Sequence, residues 1–149
     1  MKTILLVALV LFLPVLGSAQ PGVAHDVEMV LARIEHAFRT SNPTSIEDLF
    51  PTSTLMRLGD SLYWSASSIK AMDLLKAYFA DKDSIVCSVG RLGTGELSYV
   101  IDGKRESVRV DVWLMRNRGE LELHALNISN YPTATVFMNI HPAKKKPGS

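Results

Sequence analysis

The feature that most limits what this chain can fold into is the spacing of turn residues in its second half. Gly90, Gly93 and Gly95, then Asp102-Gly103, then Asn117-Arg118-Gly119 divide residues 83–131 into four stretches with strand character. Strands joined by turns this short run back and forth, so the pattern predicts an antiparallel meander. Asp102-Gly103 suits a two-residue hairpin pairing Ile101 with Lys104, and therefore Leu97 with Val108. Asn117-Arg118-Gly119 suits a three-residue loop with Gly119 left-handed, which pairs Arg116 with Glu120. One face then collects Leu97, Tyr99, Ile101, Val108, Val110, Val112, Leu114, Leu126 and Ile128, with His124 next to Val112. The other carries Arg109, Asp111, Trp113, Met115, Leu121 and Leu123, with Glu96 opposite Arg109. A two-residue loop in the last hairpin would instead move His124 to this second face, paired with Asp111. The second face is too apolar to be simply wet and reads as a subunit contact through Arg109, Asp111, Trp113 and Leu123.

The first half is helical. Val27, Val30, Leu31, Ile34 and Phe38 recur at helical spacing, predicting an amphipathic helix over residues 26–40 with Asp26 as its N-cap. Thr44-Ser45-Ile46-Glu47 has capping-box form and opens a short second helix ended by Pro51. Gly59-Asp60 reads as the turn of a small hairpin. Ser65 to Ser68 then supply cap-type residues for a third helix marked by Ile69, Met72, Leu75 and Phe79. Helices followed by strands predict an α+β domain, its three N-terminal helices packed on one face of an antiparallel sheet.

The N-terminus is a leader. Lys2 precedes an apolar run over residues 4–16, and Gly17-Ser18-Ala19 places small residues where a signal peptidase cuts. That run is shorter than the roughly 20 residues a spanning helix needs, and Pro14 interrupts it. Cleavage after Ala19 leaves a short lead (residues 20–24), one domain (25–131) and a tail (132–149) ending in a frayed basic cluster. The product is expected in a periplasm or outside the cell, with no membrane span after cleavage. It keeps 15 basic against 15 acidic residues, so it lacks the basic excess that nucleic-acid binding uses. Cys87 is the single cysteine, so no intrachain disulfide forms, and its strand-like surroundings mark it as a buried structural thiol. Asn127-Ile128-Ser129 fits a glycosylation sequon but lies inside a predicted strand.

Ile34-Glu35-His36-Ala37-Phe38 followed by Leu49-Phe50, Tyr63-Trp64-Ser65 leading into residues 69–79, and the strands of Tyr99-Val100-Ile101 and Leu126-Asn127-Ile128 carry a resemblance. In order and pattern the chain resembles the nuclear-transport-factor-2-like superfamily, and within it short exported bacterial domains of unknown function. The likeness covers residues 25–131. It implies a cone: a strongly curved sheet wrapping the helices and often leaving an apolar cavity open at one end. Members of the superfamily include isomerases, dehydratases, binding domains and dimerisation modules, so fold does not decide function.

Gly59-Asp60-Ser61-Leu62 spells a serine-esterase signature, but that chemistry needs Ser on a strand-to-helix turn and a C-terminal Asp-x-x-His. No histidine here has Asp three residues before it. Gly93-Thr94-Gly95 lacks the third glycine of a dinucleotide fingerprint, and His25, His36, His124 and His141 lack paired ligand spacing, so neither cofactor nor metal is implied. A cavity ligand site would draw on Tyr63, Trp64, Tyr99 and His124. The leading expectation is a non-catalytic module binding a small apolar molecule or a protein partner, with a homodimer through the outer sheet face as one form. The alternative is an isomerase- or dehydratase-type enzyme, in which the resemblance implies His124 as base and Tyr99 as hydrogen-bond donor to the oxyanion.

Overall fold

The computed structural model describes residues 21–131, with side chains from residue 25 onward. The leader expected at 1–19 and the tail expected at 132–149 lie outside the described residues. Helix α1 (Pro21–Arg39) leads into a 3-10 helix (Pro43–Leu49) and the hairpin of β1 (Thr54–Leu58) and β2 (Ser61–Ala66). Helix α2 (Ser68–Phe79) follows, and then the meander β3 (Asp83–Val89), β4 (Thr94–Ile101), β5 (Lys104–Asn117) and β6 (Glu120–Ser129). The expected meander is present. It does not stand apart from the hairpin, however, because β1 lies beside β6 and completes one six-stranded sheet in the order β2-β1-β6-β5-β4-β3. β1 runs parallel to β6, so the sheet is mixed, not antiparallel throughout. More than 60 residues separate these two strands, enough chain for a parallel crossover that local turn signals cannot reveal.

The helices also depart from the sequence reading in detail. Asp26 lies inside α1, not at its cap, and its carboxylate meets Arg116 at 3.6 Å. The capping box at Thr44 and Glu47 does not form. Pro43 opens a 3-10 turn instead, and Ser45 donates to the Asn42 carbonyl at 2.8 Å. Ser67 does cap α2, accepting the Lys70 amide at 3.2 Å. One helix face and one sheet face supply the core. Leu31, Ile34 and Phe38 of α1, Ile46 of the 3-10 helix, and Met72, Leu75 and Phe79 of α2 meet Met56, Leu97, Val110, Leu126 and Ile128 of the sheet. The Phe38 and Phe79 rings touch with centroids 5.2 Å apart. The Glu35 carboxylate accepts the Val89 amide at 2.7 Å, tying α1 to the outermost strand of the meander and capping part of its open edge.

Bulges bend the sheet. On β2, Trp64 and Ser65 together oppose Leu55; on β6, His124 and Ala125 together oppose Trp113; on β3, the register slips between Asp83 and Val86. The first two bulges share one row across the sheet, where an extra residue on alternate strands adds local twist. The Thr54 hydroxyl donates to the Leu123 carbonyl at 3.1 Å, beside the β6 bulge.

Candidate functional site

The β4–β5 hairpin has the expected register: Ile101 pairs with Lys104, Leu97 with Val108 and Glu96 with Arg109. Asp102 and Gly103 both adopt positive φ, 49° and 74°, the geometry of the two-residue turn that matches strand twist. The β5–β6 hairpin corrects the sequence reading. Arg118 joins Gly119 at positive φ (51° and 84°), so the loop has two residues and Asn117, not Arg116, pairs with Glu120. Near this turn the shorter loop shifts β6 by one position, which turns Leu123 into the core, fully buried. Leu121 shifts with it and lines a cleft against α1. At the bulge one extra residue restores the expected parity, so Leu126 and Ile128 still face the helices.

This register separates the expected acid–base pair. Tyr99 lies on the helix-facing side, its hydroxyl donating to Glu106 Oε2 at 3.4 Å. His124 is the bulge residue on the other face, where its Nε2 lies 2.9 Å from Glu122 Oε2. The two groups lie on opposite faces, so the proton-transfer pair of the enzymatic alternative does not assemble. The two-residue-loop alternative has His124 on the correct face, but its partner is Glu122, not Asp111. The remaining ligand-site residues also divide: Tyr63 packs against the core, while Trp64 is exposed on the outer face. Around Tyr99 the inner side carries a cluster of Lys82 and Tyr78. Lys82 Nζ lies 4.0 Å from the centre of the Tyr78 ring and 5.1 Å from that of Tyr99, and donates to the Tyr78 carbonyl at 2.6 Å. Burial raises the Tyr78 hydroxyl well above its ordinary pKa, with the neighbouring Tyr99 adding to the shift. Ser61, the serine of the esterase-like signature, begins β2 directly after the Gly59-Asp60 hairpin turn, so it is not on a nucleophile elbow.

The chemistry-bearing groups concentrate on the outer face. Asp111, Asn127 and Ser129 are only 3%, 0% and 2% exposed. Arg109 Nε donates to both Asp111 oxygens at 2.9 and 3.0 Å, and Asn127 Nδ2 donates to Asp111 Oδ2 at 2.9 Å. The Ser129 hydroxyl donates to Asn127 Oδ1 at 2.6 Å and accepts the Tyr131 amide at 3.2 Å. Tyr131 lies under the Arg57 guanidinium at 4.7 Å and donates its hydroxyl to Asp60 at 3.1 Å. Of the expected interface residues, Arg109, Asp111 and Trp113 share this face, with Asp111 sunk beneath Arg109, and Leu123 is absent from it. Asn127, Ser129, Arg57 and Tyr131 were not anticipated. The sequon at Asn127 was the one signal, and its buried, hydrogen-bonded amide is not accessible for glycosylation.

Beyond the polar network the same face turns apolar. Trp64, Leu55, Ala125 and Trp113 form one row across β2, β1, β6 and β5, with Met115 beside it. Leu55 and Ala125 are buried in a small cluster with Leu62, while Trp64, Trp113 and Met115 are 55%, 52% and 48% exposed. On the inner side, a cleft of about 260 Å3 opens where β5 runs past the start of β4, lined by Val27, Leu31, Leu92, Val112 and Leu114.

Solved structures share this architecture. An NTF-2-like protein of unknown function from Shewanella oneidensis superposes with a TM-score of 0.55 at 8% identity, covering 70% of this chain and 97% of its own. A DUF4783 family protein from Bacteroides fragilis gives 0.52 at 12% identity, covering 66% and 96%. A de novo designed protein with a curved β-sheet gives 0.53 at 14% identity, covering 78% and 94%. The chain has the nuclear-transport-factor-2-like fold. At these identities the likeness establishes architecture alone. No protein-family model and no curated protein matches the chain.

Proposed function

We propose that this protein is an exported, non-catalytic nuclear-transport-factor-2-like module that associates with a second copy of itself through the outer face of its sheet. The observation that carries the reading is the row Trp64–Leu55–Ala125–Trp113, apolar from end to end on the face that the helices leave open. Its exposed members, Trp64 at one end and Trp113 with Met115 at the other, are large apolar groups on one face, and such groups mark an interaction surface. The row has an exposed indole at each end and the buried Leu55 and Ala125 between them. A face that presents the same exposed indoles on each copy can meet itself in a two-fold contact. Export rests on the leader sequence at residues 1–19.

Sedimentation equilibrium of residues 20–149 tests the association. The wild type is expected as a dimer, and Met115→Lys or Trp64→Lys as a monomer with unchanged circular dichroism. A wild type that stays monomeric at 100 μM, or lysine variants that dimerise as it does, would overturn the reading. The cleft lined by Val27, Leu31, Arg91, Val112 and Leu114 supports a second reading, a small ligand with an apolar body held against α1. His124 faces away from Tyr99, which weighs against the isomerase- or dehydratase-type alternative.

A further inference from the structure

Glu96 and Arg109 are direct cross-strand partners on the outer face, the arrangement in which opposite charges ordinarily bond to each other. Among the described residues they form no ion pair. Glu96 Oε1 is instead occupied by the Ser107 hydroxyl at 3.1 Å, and Arg109 is drawn the other way, its Nε held by both oxygens of Asp111. Asp111 is in turn fixed by Asn127, Asn127 by Ser129, and Ser129 by the Tyr131 amide. A chain of buried polar groups is costly unless each member is satisfied, and here each is. What it holds in place is one guanidinium, anchored through Nε alone. Its two terminal nitrogens have no partner among the described residues, and the side chain is 49% exposed.

Both charges line one open groove of about 670 Å3, whose other edges include Ser88, Thr94, Ser107 and Asn130. The terminal NH2 groups of an anchored arginine form a planar fork that fits a carboxylate with two parallel hydrogen bonds. The second oxygen of Glu96 supplies an acceptor for a cation on the neighbouring strand. Hydroxyls and an amide along the edges match backbone amides. We infer that this groove binds a small zwitterion, a short peptide with both termini free. Its carboxylate sits on the Arg109 fork, and its ammonium sits on Glu96. Asp111 acts as a positioning residue, since it reaches the ligand only through Arg109. The site lies on β3, β4 and β5, off the apolar row, so it stands whether or not the protein dimerises.

The test is amide NMR titration of residues 20–149 with L-alanyl-L-alanyl-L-alanine, with the C-terminally amidated and the N-acetylated tripeptides as controls. Saturable shifts are expected at Ser88, Glu96, Ser107 and Arg109. Amidation or Arg109→Gln is expected to weaken binding at least tenfold, and acetylation or Glu96→Gln to weaken it severalfold. Both substituted side chains reach solvent, and the spectra themselves report whether each variant folds. No shift at 10 mM tripeptide in the folded wild type would overturn the inference. Equal affinity for all three peptides, or shifts that Arg109→Gln leaves unchanged, would do the same. Because the Met115→Lys variant keeps the groove, a failure of dimerisation and a failure of peptide binding are separately visible.

Discussion

Asp111→Ala is the substitution whose cost follows most directly from the structure. It removes the acceptor for Asn127 Nδ2, a donor on a side chain with no exposed surface, and leaves that N–H unsatisfied. Leaving a buried donor unpaired costs about 1–3 kcal/mol. Arg109 also loses its anchor, but its guanidinium is half exposed and is resolvated, so that part contributes no more than about 1 kcal/mol. The sum is about 1–4 kcal/mol. With a urea m-value of about 2 kcal/mol/M for a domain this size, the midpoint is expected to fall by about 0.5–2 M. Urea unfolding followed by tryptophan fluorescence measures it. The reasoning also predicts non-additivity. Asn127→Ala in the Asp111→Ala background removes the stranded donor, so the double variant is expected to cost at least about 1 kcal/mol less than the two singles together. A single-variant loss below about 0.5 kcal/mol, or strict additivity, would refute the view that the network is a connected buried unit.

Gly95→Ala is expected to abolish or grossly destabilise folding, since an added Cβ would lie 1.8 Å from the Ser88 carbonyl oxygen; soluble yield and thermal unfolding report it. Burial, aided by the Glu35 carboxylate, pushes the Cys87 thiol up to about 12, so iodoacetamide at pH 8 should modify it only when denaturant is present. Tyr78 and Tyr99 are also raised, burial being the main cause for each. The folded state therefore keeps protons that the unfolded chain releases, and stability should decline as pH rises above about 9, with none of this loss below pH 8. Ser67→Ala is expected to cost about 1 kcal/mol by deleting the cap on α2, measured as a shift in the urea midpoint.

The parts of the fold legible in the sequence are those that local chemistry decides. Asp102-Gly103 specified its turn and hence the β4–β5 register, and Ser67 marked the start of α2. Two features escaped. The parallel contact of β1 with β6 joins segments distant in sequence, and no turn residue announces such a pairing. The last hairpin misled because Arg118 adopts a left-handed conformation that a side chain other than Asn, Asp or Gly seldom takes. The bulge at His124 then cancelled the error for Leu126 and Ile128 but not for Leu123. The outer-face network was half visible. Arg109 and Asp111 were on the expected face, but their partners Asn127 and Ser129 become meaningful only once the β5–β6 register is known.

The proposed contact between copies is tested most directly by replacing Met115 with the photo-cross-linking residue p-benzoylphenylalanine, irradiating the folded protein, and sequencing the joined peptides. A covalent dimer is predicted, its second copy linked within β5, β6 or the β2 segment around Trp64. A protein that yields only monomer, or that links through α1 instead, would contradict the assignment of the outer sheet face as the interaction surface.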